Sequence, residues 1–264
     1  MLERPETQLD FAIIGVQKAG TTALGLYLTQ NPSVFLPDGK ETHFFRRPIA
    51  PDGPKPRDPS HLDRHFTDCQ PGQLKGDATP VYLYWPFALD LLKQHNPDLK
   101  LIISLRHPVL RAYSAWSMEY RRKRETLPFA EAIRDGRTRV TQAPYGVHPI
   151  YSYVERGFYA DQLERLLAQF SRDQVFIMRN DQISASHPRL QELQMWLGCN
   201  PVKLTPVSEN VQPGTLSPIA SLQEDFDYLQ TLYTEDMQRT AELTGLDLQD
   251  WLDKTPTVSR FTTA

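Results

Sequence analysis

The chain is poor in cysteine, in long apolar runs and in net charge of either sign. Its two cysteines, Cys69 and Cys199, stand far apart among 264 residues. They match no disulfide framework and no CxxC metal spacing, so a reducing compartment is expected. No apolar run approaches the ~18 residues of a membrane helix, and no charged-then-apolar leader opens the chain. The expectation is a cytoplasmic protein with no membrane span. Formal net charge is -3, so the broad basic field of a nucleic-acid binder is missing. Internal repeats are absent as well. Length and the 40% hydrophobic content suit one globular domain over 1–264.

What is present is an alternation of short apolar runs and amphipathic segments. Strands are expected at 11–14, 34–36, 99–105 and 174–178, and helices at 21–30, 85–95, 108–123, 128–135, 157–170, 188–197 and 218–244. Gly136, Gly198 and Gly245 are read as helix stops, and Pro108 as a first helical residue. The Pro-, Asp- and Gly-rich stretch within 46–67 reads as a surface loop or insertion, and 205–218 as an irregular loop. This order implies an α/β, P-loop-like three-layer fold, a central parallel sheet flanked by helices.

The first strand runs into Gly15-Val-Gln-Lys-Ala-Gly-Thr-Thr22. A glycine-bounded loop ahead of a helix turns its backbone N–H groups toward an anion, and the helix dipole adds to the pull. Gly15 and Gly20 keep Walker A spacing, but Thr21 stands where that motif has lysine. The cation is Lys18, inside the loop. Two readings stand at this point: an anion site built from Gln17, Lys18, Ala19, Gly20, Thr21 and Thr22, or a tight turn with a solvated lysine.

This loop, together with Leu101-Ile-Ile-Ser-Leu-Arg-His-Pro-Val-Leu-Arg-Ala-Tyr-Ser-Ala-Trp116, resembles the sulfotransferases that use 3′-phosphoadenosine-5′-phosphosulfate (PAPS). The resemblance implies that Gln17–Thr22 holds the 5′-phosphosulfate and that Arg106 and Ser114 grip the 3′-phosphate. A guanidinium fork and a hydroxyl suit a dianion. Lys40-Glu-Thr-His-Phe-Phe45 is similar to the Glu-x-x-Phe-Phe element of the heparan-sulfate branch, which implies Glu41 as the catalytic base. His43 is the competing base, as in small-molecule sulfotransferases. If 40–45 is extended, the two side chains share a face. Gly157-Phe-Tyr-Ala-Asp-Gln-Leu163 resembles a helix start of the same branch, and 76–82 its Glu-Lys-Thr-Pro-x-Tyr element.

Two departures accompany the resemblance. The lysine before Thr-Pro is Ala78 here, and no cysteine-flanked basic loop follows residue 205. The resemblance implies PAPS as donor, PAP as product and no metal, with a small-molecule, lipid or carbohydrate acceptor. No nucleic-acid partner is expected, and oligomeric state is not legible. A P-loop kinase or NTPase, or a catalytically silent nucleotide-binding protein, are the rival readings. Asp77 is read either as orienting the acceptor or as a turn cap. Phe44, Phe45, Tyr82, Tyr84, Trp85, Trp116, Tyr151 and Tyr153 are candidate acceptor-side aromatics, of which at least half are expected to be core. Arg134, Arg137 and Arg139 are a weak hint of an anionic acceptor.

Overall fold

The computed structural model describes residues 6–50, 53–55, 57–207 and 219–257. The chain divides into two compact units, Met1–Leu105 with Arg165–Glu209, and Arg106–Glu164 with Asn210–Ala264.

The first unit is built on a five-stranded parallel sheet. Its strands are β1 (Phe11–Gly15), β2 (Val34–Phe35), β5 (Leu74–Asp77), β6 (Lys100–Leu105) and β7 (Val175–Arg179), in the order β2-β5-β1-β6-β7. A short antiparallel pair, β3 (Ile49–Ala50) with β4 (Gly53–Pro54), lies within the stretch expected to be loop. Parallel strands covered on both faces must be apolar throughout, and β1 and β6 obey this with unbroken buried runs. Ile13 pairs with Ile102, which pairs with Phe176 across the sheet centre. Gly76 is required beside β1, because a Cβ there would lie 2.1 Å from the Phe11 ring. The β1–β6 register shifts between Ile13 and Gly15. The irregularity falls where the strand gives way to the anion loop.

Helix α1 (Thr21–Leu28) follows that loop and buries Leu24, Tyr27 and Leu28. Together with α2 (Ala88–His95) and the helix Pro188–Leu197, it matches expectation to within a few residues. Gly198 at φ 97 closes the last of these as a left-handed cap.

The second unit is helical. Its long elements are Pro108–Arg121, with proline in the first turn, and Ile219–Thr244. Between them Tyr113, Trp116, Phe129 and Phe226 interlock edge to face or tilted, Tyr113 lying 5.1 Å from Phe129 and 5.7 Å from Phe226. Asp236 of the long helix accepts the N–H groups of Tyr159 and Ala160 at 2.8 and 3.1 Å, capping helix Ala160–Leu167 from a distance. Gly157 admits Tyr233, whose hydroxyl would lie 2.5 Å from an added Cβ. The helix expected at 128–135 shortens to Phe129–Ala132, and Gly136 sits inside a 3-10 turn, Asp135–Arg137, instead of ending a helix. Of the loop expected at 205–218, residues 205–207 lack regular structure and 208–218 lie outside the described residues. No described helix is long and apolar enough to cross a membrane.

Candidate functional site

The first unit contains Gln17–Thr22, Glu41 and His43. The second contains Arg106 and Ser114. In the loop, Lys18 is half-buried and takes a left-handed backbone (φ 74), a conformation that costs a side-chain-bearing residue roughly 1–2 kcal/mol. The Ala19 N–H closes the turn on the Val16 carbonyl at 3.1 Å, and the Ser104 hydroxyl of β6 donates to the Ala19 carbonyl at 2.7 Å. The loop is thereby tied to the neighbouring strand. Gly20 (φ 77) opens α1 with no side-chain cap and no acidic residue in the first turn. No acid in the first turn of the helix offsets its positive end. Gly20 and Thr22 are exposed there, while Thr21 is buried. A half-exposed cation beside an uncapped helix start fits a phosphosulfate.

The segment 40–45 is not extended. Lys40 and His43 have φ values of 50 and 53, so the chain turns twice. Glu41 and His43 nevertheless meet, with His43 Nε2 3.4 Å from Glu41 Oε2, and Lys40 Nζ is 2.8 Å from Glu41 Oε1. Both prospective bases remain partly open, at 32% and 45% side-chain exposure. Burial holds the His43 imidazole below its ordinary pKa; Glu41 works against this, and Arg46 and Arg57 reinforce it.

A buried carboxylate organises this turn. Asp77, at the end of β5, is fully buried and accepts from Thr42 Oγ1 (2.6 Å), Thr42 N–H (3.2 Å), Thr79 Oγ1 (2.8 Å) and the Tyr82 hydroxyl (2.7 Å). Those partners in turn accept the next amides. The His43 N–H donates to Thr79 Oγ1, the Phe44 N–H to Thr42 Oγ1 and the Phe45 N–H to the Tyr82 oxygen, each at 3.2 Å. Burial raises the Asp77 pKa, and the donated hydrogen bonds oppose the rise. The sequence offered acceptor orientation or turn capping for Asp77. The observed contacts are all to the chain.

Most of the candidate acceptor-side aromatics are core. Phe44, Phe45, Tyr82, Tyr84, Trp85, Trp116 and Tyr153 are buried, and Tyr151 alone of that set is half-buried. The arginines that hinted at an anionic acceptor are closed onto carboxylates: Arg134 on Asp225 (2.6 Å), Arg137 on Glu155 and Arg139 on Glu125 (both 2.8 Å). Sequence reading missed a different group. Arg57 donates to the His43 carbonyl at 2.6 Å, Arg46 lies over Trp85 and Arg47 over Phe44. Burial lowers the pKa of Arg46 and Arg47, and repulsion from Arg57 adds to it. Among the described residues none of the three has a carboxylate at salt-bridge distance. The legible signal was the run Thr42–Ala50, which carries two arginines and no acid. In the second unit, Arg106 directly follows β6 and its carbonyl accepts the Tyr159 hydroxyl at 2.7 Å. Ser114 lies half-buried on helix Pro108–Arg121. Among the described residues no group of three or more His, Cys, Asp or Glu side chains is arranged to hold a metal.

No family model matches the chain. Heparan sulfate glucosamine 3-O-sulfotransferase 3A1 of Homo sapiens is 32% identical over 202 residues, 75% of this chain and 46% of that protein. The 3B1 protein of Homo sapiens is 32% identical over 189 residues, 70% of this chain and 45% of its own. The chain thus spans just under half the length of these curated relatives. A sulfotransferase crystal structure from Alicyclobacillus acidocaldarius is 30% identical and superposes with a TM-score of 0.75, covering 93% of this chain and 99% of that one. With that overlap on a five-stranded parallel sheet flanked by helices, the chain belongs to the PAPS-dependent sulfotransferase family.

Proposed function

We propose that residues 1–264 act as one sulfotransferase domain that moves the sulfuryl group of PAPS to a hydroxyl or amine of a carbohydrate acceptor. The observation that carries this reading is the β1–loop–α1 turn, in which Lys18 supplies the cation and the helix start carries neither cap nor acid. The carbohydrate class is supported by the heparan sulfate named for the relatives. The free state of Cys69 and Cys199 supports a reducing, cytoplasmic setting.

Bound PAPS supplies the sulfuryl group, whose bond to the 5′-phosphate oxygen breaks as a bond to the acceptor atom forms. The chain's residues do the rest. Lys18 meets the charge growing on the phosphate oxygen, and the Thr21 and Thr22 hydroxyls with the loop N–H groups bind the phosphate. Glu41 takes the acceptor proton. Arg106 and Ser114 bind the 3′-phosphate. His43 is the second candidate base, favoured by its 3.4 Å approach to Glu41 and by the burial that keeps it neutral.

Two measurements test the reading. PAP at ~100 times its dissociation constant should stabilise the fold by about 2.7 kcal/mol, seen as a higher Tm. Labelled sulfate should pass from PAPS into heparan sulfate or another carbohydrate. A Tm shift with ATP and Mg²⁺ but none with PAP would favour a kinase instead.

A further inference from the structure

Lys40 enters the sequence reading only as part of a charged cluster, yet the fold invests heavily in it. Its backbone is left-handed (φ 50), which a lysine adopts at a cost of roughly 1–2 kcal/mol, and several ties hold it there. The Lys40 N–H donates to the Pro37 carbonyl at 2.8 Å, and its carbonyl accepts the Ala78 N–H at 3.0 Å. Its ammonium donates to Glu41 Oε1 at 2.8 Å and reaches the Ala78 carbonyl at 3.4 Å. Backbone and side chain of Lys40 both close on Ala78. The stem runs beside α1, where a Cβ at Gly25 would lie 3.7 Å from Lys40 Cδ. The side chain as a whole is 17% exposed.

The consequence falls on Glu41. A glutamate at 32% exposure has several rotamers open to it, and only some aim an oxygen at an acceptor. Lys40 fixes Oε1, while Oε2 is left toward His43. The charged groups around this pair are His43, Arg46, Arg57 and the buried Asp77. Lys40, beside them, is the permanent cation in contact with the carboxylate. A partly exposed ion pair of neighbouring residues adds little to stability, so fold stability alone does not account for a strained, three-way anchored lysine.

We propose that Lys40 is a positioning residue of the sulfuryl-transfer site: anchored on the Ala78 backbone, it orients the Glu41 carboxylate. The proposal rests on the reading of Glu41 as the base.

Lys40→Gly is the decisive variant, because glycine tolerates φ 50 and removes the ammonium without disturbing the turn. Lys40→Arg restores a cation of similar reach. The assay is PAP release from PAPS with heparan sulfate added as acceptor, beside Tm and PAP affinity. Lys40→Gly should lower turnover at saturating PAPS about 10–100-fold, the scale of a misplaced catalytic group. Tm and PAP affinity should stay close to wild type, and Lys40→Arg should recover much of the loss. Wild-type turnover in Lys40→Gly overturns the proposal, as does a fall in turnover matched by equal losses of PAP affinity and Tm. Failure of Lys40→Arg to recover any activity overturns it too. Glu41→Gln is measured alongside. If Glu41→Gln is slow while Lys40→Gly is not, only the Lys40 assignment fails; if Glu41→Gln also turns over like wild type, the base reading has failed.

Discussion

Two arginine clusters, one in each unit, are handled in opposite ways. In the helical unit Arg134, Arg137 and Arg139 each end on a carboxylate, and Glu125 beneath Arg139 has no exposed side chain at all. In the sheet unit Arg46, Arg47 and Arg57 surround the Glu41–His43 turn, with aromatic faces and carbonyls for partners but no carboxylate among the described residues. A cation closed on a buried acid is a building element. One left beside a half-open turn has no acid at contact distance among the described residues. Clustering in the sequence could not tell the two cases apart, because both look like runs of basic residues. What distinguishes them is whether the fold delivers an acid to contact distance.

The comparison is sharpest where a charged group should matter to turnover and not to folding. Glu41→Gln should lower turnover by roughly 10²–10⁴ with PAP affinity and Tm nearly unchanged. His43→Ala should cost less, and steady-state rates with calorimetric PAP binding check both. The reverse order would make His43 the base.

The closed arginines should show the opposite pattern. Removing the buried Glu125 leaves Arg139, itself 27% exposed, without its partner and the buried Tyr153 hydroxyl without its acceptor, so Glu125→Ala should cost about 1–3 kcal/mol in urea unfolding. Arg57→Ala, on the open side, should stay within about 0.5 kcal/mol. Similar losses for both would break the distinction.

Lys18 and Arg106 divide along another line. The charge met by Lys18 grows as the sulfuryl bond breaks, so Lys18→Ala should lower turnover at saturating PAPS by about 10²–10³. The 3′-phosphate is remote from the reacting sulfur, and Arg106→Ala should mainly weaken PAPS and PAP binding alike. Near-wild-type saturated turnover in Lys18→Ala would reduce the lysine to a binding group.

The smallest effect concerns pH. Burial holds His43 below its ordinary value of 6.5, so the unfolded chain takes up this proton before the folded one does. The contribution of His43 to stability is therefore complete above pH 6.5 and falls as pH drops toward the folded pKa. NMR titration should place His43 below 6.5. In Glu41→Gln the raising influence of the carboxylate is gone, and the midpoint should fall further. A midpoint above 6.5 would mean that Glu41 outweighs burial.

The sheet was legible because parallel strands must be apolar along their length, and residues 99–105 announce this without help from tertiary contacts. The loop between β1 and α1 was legible for a similar reason, since Gly15 and Gly20 mark a strand-to-helix turn locally. The turn at 40–45 was not. Its shape depends on Asp77, more than 30 positions away in sequence, and no local pattern encodes a left-handed lysine and histidine. That at least half of the aromatic residues are core was expected, but which of them was not legible, for a related reason. Phe44, Tyr82 and Trp85 flank the site in sequence, but their rings complete the core, and composition alone cannot assign a ring to one side of a wall.

The hydrogen bonds that fix the turn carry a kinetic signature. The consecutive amides of Thr42, His43, Phe44 and Phe45 all donate to side chains of one buried cluster rather than to water or to a strand. Amide hydrogens in irregular loops ordinarily exchange with solvent through small local openings. Here an opening at any one of them must pull on Asp77, Thr79 or Tyr82, and so on the end of β5. Exchange at these positions should be slow and should rise together, as one cooperative event, when Asp77 loses its carboxylate. The Thr42–Phe45 turn would then report its own integrity through deuterium uptake.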